Sequence, residues 1–452
     1  MAEQKGKAFA FFICFVAAIG GFLFGYDLTL ISSANIFLRD QFHLSDSAFG
    51  FATASAVLGC MIGPCLGAWL CDRIGRRNTM LASSILLVIG AIGTALPKTI
   101  FAFNVFRIIG GVGVGLCSIA SPMYIAEVAP ARLRGGLGVL YQLAIVVGAV
   151  LSAFVGWYMA KTLAPDVCWR WMFGSVVISV APFIICLFFV PESPRWLAEK
   201  GRDEEALRVL TSIDGPQHAS KEMQEIKQSL MEESGTFAEL FQPGLRKVLL
   251  IGLLLAFFNN WTGWSGMGAY LPFLFQKAGF SDRAEAILQY VFAYGVMGVF
   301  TMLAGFVVDR SGRKPLWLAA SILMTIAMVL MGIVFQLNIT GKIILVIVSL
   351  AAIPHAIALG PLPWLMMSEI FPNRIRAKAV AITTTFLWSV IFVVAYIFPI
   401  ISGYSEKVLG SVSGMFWIYA VMCVFAIIFG VFLLPETKGK TLEQIAEGWK
   451  KK

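Results

Sequence analysis

Asp27 is the only acidic residue in an apolar run from about Phe9 to Ile31. The run is long enough to cross a bilayer core, which takes roughly 20 helical residues. An ionised carboxylate at that depth costs at least about 2.5 kcal/mol, so it needs either a partner or a proton. Arg107, in a second apolar run at 100–122, is the natural partner, because a second buried charge is best tolerated beside the first. Burial favours the neutral carboxyl and the guanidinium favours the charged one, so the balance depends on their separation. Such a pair can take up and release a proton. The bland alternative is a static ion pair that fixes the first span against the fourth.

A second set of charged residues lies at the ends of apolar runs and occurs twice. Asp72-Arg73-Ile74-Gly75-Arg76-Arg77 recurs as Asp309-Arg310-Ser311-Gly312-Arg313-Lys314. Glu127, Pro130 and Arg134 recur as Glu369, Pro372 and Arg376, and Pro191-Glu192-Ser193 as Pro435-Glu436-Thr437. Three pairs in one order at nearly one offset mark an internal duplication. Any tight loop wants glycine and basic residues, but that explains neither the aspartate nor the repetition. Arg76, Arg134, Arg313 and Arg376 are expected to pair with Glu127, Glu192, Glu369 and Glu436, as a gate that holds one side shut.

These groups must be carried by helices in lipid. The chain of 452 residues is 58% hydrophobic and only 13% charged, with mean hydropathy +0.81. A soluble domain of this composition is excluded, since globular proteins average about 25% charged residues. Apolar runs near 9–31, 47–70, 79–97, 100–122, 136–160, 172–190, 247–275, 285–308, 315–336, 343–369, 379–402 and 413–434 give twelve expected spans. Most of the 35 lysines and arginines, including Arg73, Arg132 and Arg310, fall on one side if both termini are cytoplasmic. The positive-inside rule then sets the orientation, and the net charge of +9 calls for no nucleic-acid partner.

The expected organisation is an N-terminal six-helix bundle (1–190), a cytoplasmic helical linker (191–246) and a C-terminal six-helix bundle with a tail (247–452). In the linker, Leu207, Leu210, Met223, Ile226 and Leu230 fall at helical spacing, and Thr236 with Glu239 suggests a capping box. No HExxH, GxSxG or Walker A motif is present, so enzymatic activity, ATP coupling, cofactors and metal are not expected. The eight cysteines form no CxxC or Cys/His metal set and read as small packing residues.

The twelve spans, the doubled DRxGR[RK] turn, Pro191-Glu192-Ser193-Pro194-Arg195 and Pro435-Glu436-Thr437-Lys438-Gly439 together resemble the sugar porter family of the major facilitator superfamily. One departure is Ala68, where the first motif usually has glycine; Gly305 keeps that place in the second copy. The resemblance implies an all-α major facilitator fold and alternating access, with a site near the midplane between two halves. Asp27 after Phe-Gly-Tyr, with Arg107 opening the fourth span, is similar to bacterial sugar–proton symporters, whereas many uncoupled members have Asn there. Gln142 matches a sugar-hydroxyl ligand, and Phe24, Trp364 and Trp388 match aromatic pocket positions. Asn259-Asn260-Trp261-Thr262-Gly263-Trp264-Ser265 stands where the family typically reads Gln-Gln-x-x-Gly-x-Asn, so Asn259, Asn260 and Ser265 take the corresponding places. Ala149, Ala269, Met297 and Leu387 replace common polar ligands, which implies a less polar pocket than a glucose or xylose carrier has. Gly360, Pro361 and Pro363 interrupt the tenth span just before Trp364, and His355 is the only histidine in a span.

The expectation is therefore a monomeric proton-coupled symporter of a sugar or polyol in a bacterial-type inner membrane. The alternatives are an uncoupled sugar uniporter and, from a different class, a metabolite receptor that transports nothing.

Overall fold

The computed structural model describes residues 2–130, 134–231, 236–242 and 245–438. The regular structure of the described residues is all helical, with no β-strand. In lipid the backbone must satisfy its own hydrogen bonds, and the helix does this within one segment. The long helices are α1 (Ala2–Gln41), α2 (Asp46–Ile74), α3 (Arg76–Ala95), α4 (Ile100–Val128), α5 (Arg134–Thr162) and α6 (Pro165–Leu187). Two helices follow, α7 (Pro194–Glu199) and α8 (Asp203–Met231), the latter kinked at Gly215. The second half contains α9 (Leu245–Trp261), α10 (Trp264–Ala269), α11 (Leu271–Lys277), α12 (Arg283–Ser311) and α13 (Arg313–Gln336). It ends with α14 (Ile343–Pro354), α15 (Pro361–Glu369), α16 (Asn373–Leu409) and α17 (Gly414–Phe432).

Eleven helical stretches among the described residues are long and apolar enough to cross a membrane. The expected seventh span, 247–275, is missing from that set because it is broken into α9, α10 and α11. Gly263 turns the chain at φ +112°, and Pro272 opens α11 after Tyr270 leaves helical geometry. The tenth span is also interrupted, in the region its Gly and Pro residues indicate. His355–Leu359 forms one π-helical turn between α14 and α15.

The chain forms two compact units. The first contains Met1–Leu28, Leu58–Ser152 and Arg170–Glu233; the second contains Thr29–Val57, Ala153–Trp169 and Ser234–Lys452. These bounds differ from 1–190, 191–246 and 247–452, because residues 29–57 make long-range contacts with residues after 234. Asn35 Nδ2 donates to the Ala269 carbonyl at 2.8 Å, Tyr290 donates to the Thr29 carbonyl at 3.1 Å, and Ser47 meets the Tyr396 hydroxyl at 2.8 Å.

Within the first unit, α1 lies directly on α5. A Cβ at Gly25 would sit 1.9 Å from the Ile145 carbonyl oxygen, and one at Gly148 would sit 2.1 Å from the Phe22 carbonyl oxygen. Backbone contact of this kind is how membrane helices pack closely, and it fixes α1 two residues before Asp27. Helices α7 and α8 share a small core of Trp196, Leu197, Ala206, Leu210, Ala219 and Met223. Of the apolar positions expected at helical spacing, Leu207 and Leu230 are exposed instead. The kink at Gly215 breaks the period between the two parts of α8. Thr236 N–H donates to Glu239 Oε1 at 3.0 Å at the start of a 3₁₀ turn, Phe237–Phe241.

Candidate functional site

In the first unit, α1 and α4 bring Asp27 and Arg107 together, both almost completely buried. One guanidinium nitrogen, Nη1, donates to both carboxylate oxygens at 3.1 Å. Next to Asp27, the Tyr26 hydroxyl meets Ser175 Oγ of α6 at 2.7 Å. On α2, the Cys60 thiol donates to the Gly111 carbonyl at 3.4 Å. Phe24 is half-buried one turn before Asp27 on α1, and Gln142 is exposed on α5.

The remaining residues that the family resemblance assigns to substrate lie in the second unit. Here the structure gives Asn259 and Asn260 definite partners. Pro363 has no N–H to return to the Leu359 carbonyl, so the helix break leaves that oxygen without its usual donor. Asn259 Nδ2 supplies it, donating to the Leu359 oxygen at 2.7 Å and the Gly360 oxygen at 3.1 Å. Asn260 spans the other break. Its Nδ2 donates to the Ala256 carbonyl at 3.1 Å, and its Oδ1 accepts from Ser265 Oγ at 2.7 Å, across Gly263. These three polar residues therefore brace the two interrupted helices. Trp364 is exposed at 43%, whereas Trp388 is buried at 2%. Leu387 sits in an apolar cluster with Ala256 and Met367. His355 stacks on Trp264, with ring centroids 5.7 Å apart.

The duplicated motifs build one network in each unit. In the first, Arg76 Nη2 donates to Glu127 Oε1 at 2.8 Å and Ser193 Oγ donates to Glu127 Oε2. In the second, Arg313 Nη2 donates to Glu369 Oε1 at 2.8 Å, and Thr437 Oγ1 donates to Glu369 Oε2 at 2.6 Å. Among the described residues, Glu192 and Glu436 are held by main-chain hydrogen bonds. Glu192 Oε1 accepts from the N–H groups of Arg76 (2.9 Å) and Arg77 (3.1 Å) at the start of α3. Glu436 accepts from Arg313 (3.1 Å) and Lys314 (3.0 Å) at the start of α13. The first N–H groups of a helix have no internal acceptor and attract a negative charge, so they capture these carboxylates. Arg376 donates to the Phe371 carbonyl, from Nε and Nη2 at 3.2 Å each. The side chain of Arg134 lies outside the described residues.

The two helix-start carboxylates differ electrostatically. Burial pushes Glu192 above the ordinary carboxylate range, despite its main-chain donors. Burial also acts on Glu436, but the N–H groups of Lys438, Arg313, Lys314 and Thr437 outweigh it and hold that carboxyl below the ordinary range. A raised carboxylate binds more protons folded than unfolded, so its charged form weakens the fold as pH rises through the folded value. A depressed one stabilises the fold above its unfolded value, and the gain is lost as pH falls through the folded value. Glu436→Gln should therefore lower thermal stability only modestly at pH 7, because solvent screens this partly exposed carboxylate, and the cost fades below the carboxylate range. Glu192→Gln should be close to neutral at pH 7. Melting in detergent at pH 7 and pH 4 checks both, and equal losses for the two variants would refute the distinction.

Comparison with known proteins places this architecture. The family model described as "Sugar (and other) transporter" matches residues 13–449. The chain belongs to the sugar transporter family. The arabinose-proton symporter of Bacillus subtilis is 36% identical over 456 residues, covering 99% of this chain and 97% of that protein. The D-xylose-proton symporter of Escherichia coli is 37% identical over 482 residues, again covering 99% and 97%. The inward-open structure of the E. coli xylose transporter XylE superposes with a TM-score of 0.87 at 35% identity, covering 97% of this chain and all of that one. This transporter thus has the major facilitator fold and is a multi-pass membrane protein, not an enzyme.

Sequence reasoning missed several groups that complete the sites. Ser193 and Thr437 stand in the recognised Pro-Glu motifs, and a hydroxyl beside an acidic residue was a readable signal. Phe173, whose ring lies against Arg107, carried none, because nothing distinguishes one membrane phenylalanine from another.

Proposed function

We propose that the chain is a proton-coupled symporter of a sugar or polyol, working by alternating access, with Asp27 as the proton carrier. The observation that carries this reading is the buried Asp27–Arg107 pair, isolated from other acids within its span. The relatives named as arabinose– and xylose–proton symporters support it. Asp27 takes a proton from the side of higher proton activity, which frees it from Arg107; it releases the proton on the other side and pairs again. A membrane potential of 100 mV contributes roughly 2.3 kcal/mol per charge, enough for about fifty-fold accumulation.

The proposed location is a bacterial-type inner membrane with both termini cytoplasmic, because that orientation places most basic residues inside. We read the chain as a monomer whose sequence repeat is six spans plus six, joined by a helical linker. Phe24, Gln142 and Trp364 are the proposed substrate contacts. Asn259, Asn260, Ser265 and Trp388 act first as supports for the broken helices and the core of the second unit. The networks around Glu127 and Glu369, with Arg134 and Arg376, form the proposed cytoplasmic gate. Ala149, Ala269, Met297 and Leu387, where relatives often carry polar ligands, favour a less polar pocket than that of a glucose or xylose carrier.

The test is uptake of labelled pentoses, hexoses and polyols into proteoliposomes under an imposed pH gradient. Concentrative uptake, collapse by a protonophore and alkalinisation of the medium are expected together. Saturable uptake without alkalinisation would make the protein a uniporter, and failure of counterflow for every sugar and polyol would leave only a receptor.

A further inference from the structure

We infer that Phe173 is a positioning residue for the proton-coupling pair, its ring face holding the Arg107 guanidinium so that a single nitrogen reaches Asp27. The inference rests on the proton-coupled reading above. Four observations in the first unit carry it. The guanidinium carbon lies 5.1 Å from the centroid of the fully buried Phe173 ring. Nε and Nη2 of Arg107 are buried with no hydrogen-bond partner among the described residues. Nη1 alone serves Asp27, and its 3.1 Å contacts are longer than the 2.7–2.9 Å usual for charge-assisted bonds. The ring is itself held edge-to-face by Phe103, in the first turn of α4, with centroids 5.5 Å apart at 74°.

A guanidinium facing a carboxylate ordinarily turns its fork toward it and makes two parallel bonds. Here the aromatic face competes for the same cation. Attraction to a ring is broad and tolerates sliding, whereas the fork is directional. The cation is stabilised where it lies while its grip on Asp27 stays weak enough for a proton to displace it. Helix α6 also holds α1, since Ser175, two residues beyond Phe173, meets the hydroxyl of Tyr26, the residue before Asp27. Among the described residues, the titratable group facing the pair is Cys60 from α2; Tyr26, beside Asp27 on α1, turns its hydroxyl to Ser175. From α5, Tyr141 packs against Gly21, well before Asp27. Phe173 and Ser175 from α6 do not titrate.

The experiment compares Phe173→Leu and Phe173→Met, which keep apolar bulk without a π face, with Phe173→Tyr, which keeps the face. Proton-driven uptake is measured against pH in proteoliposomes, together with counterflow at acid pH. Loss of the ring frees the fork to close on Asp27. The pH of half-maximal uptake should then move toward acid by about one unit in Leu and Met. Phe173→Tyr should keep the wild-type profile, and acid-pH counterflow should persist in all three. In an Asp27→Asn background, Phe173→Leu should leave exchange unchanged. The inference is overturned if Leu and Tyr shift the profile alike, if none shifts it, or if Phe173→Leu impairs exchange equally with and without Asp27. Wild-type protein that concentrates nothing under a pH gradient would sink the symport reading and this inference with it. Unshifted variants of a working symporter would sink this inference alone.

Discussion

Asp27→Asn should abolish concentrative uptake while leaving exchange of labelled substrate down its own gradient. The amide keeps the shape of the carboxyl and one oxygen able to accept from Arg107 Nη1, now at 3.1 Å from each carboxylate oxygen. What it loses is the charge and the proton. Truncating one partner of a buried pair commonly costs about 3–5 kcal/mol, because the other charge is left uncompensated. That cost should be smaller here, since the Phe173 face and the retained oxygen both remain beside Arg107. The site then resembles the protonated state permanently and can still change conformation with substrate bound. Accumulation should fall from about fifty-fold per 100 mV to no accumulation at all. Counterflow in proteoliposomes should lose its pH dependence but keep its rate within the same order. A variant that still concentrates substrate would remove Asp27 from the proton path.

The parts of this architecture that follow a period or a charge were readable from the chain. Helical spans follow from apolar runs, and the Asp27–Arg107 pair from the high cost of lone charges in lipid. The duplication was visible because Asp72 to Arg77 repeats almost residue for residue. What could not be read was where the backbone departs from helix without a proline to announce it. The break at Gly263 lies inside an apolar stretch, and glycine is common in membrane helices. Only the positive φ at Gly263 and the Asn260–Ser265 staple show that the chain turns there. For the same reason Asn259 reads in sequence as a free amide suited to hydroxyls. Its true neighbour, the Leu359 carbonyl, lies 100 residues away and lacks a donor only because Pro363 follows it. Glu192 and Glu436 were legible as charges, but the choice between a guanidinium and a helix start is a matter of distance, which composition does not carry.

Gly75→Ala should be the most damaging single-methyl change in the duplicated motifs, ahead of Gly312→Ala, with Gly410→Ala well behind both. Gly75 has φ +91° and ψ 167°, and Gly312 has φ +83° and ψ 163°. That region is open essentially to glycine alone, and holding another residue in it costs about 1–3 kcal/mol. The second cost is steric. A methyl at Gly75 would sit 2.2 Å from Glu192 Oε2, and one at Gly312 would sit 2.9 Å from Glu436 Oε2. Glu192 cannot retreat freely, because its other oxygen is held by the N–H groups of Arg76, Arg77 and Ser193. Displacing it would strip α3 of its charged acceptor, adding about 1 kcal/mol or more. Glu436 is less enclosed and needs a smaller shift. Gly410, at φ +70° and ψ 9°, has open space around it and bears only the left-handed penalty of roughly 1–2 kcal/mol. Thermal unfolding in detergent should rank the three in that order, with Gly75→Ala about 3 kcal/mol or more below wild type. Equal losses at Gly75 and Gly410 would mean that the glycine serves backbone conformation alone. The close approach of the Glu192 carboxylate would then be incidental.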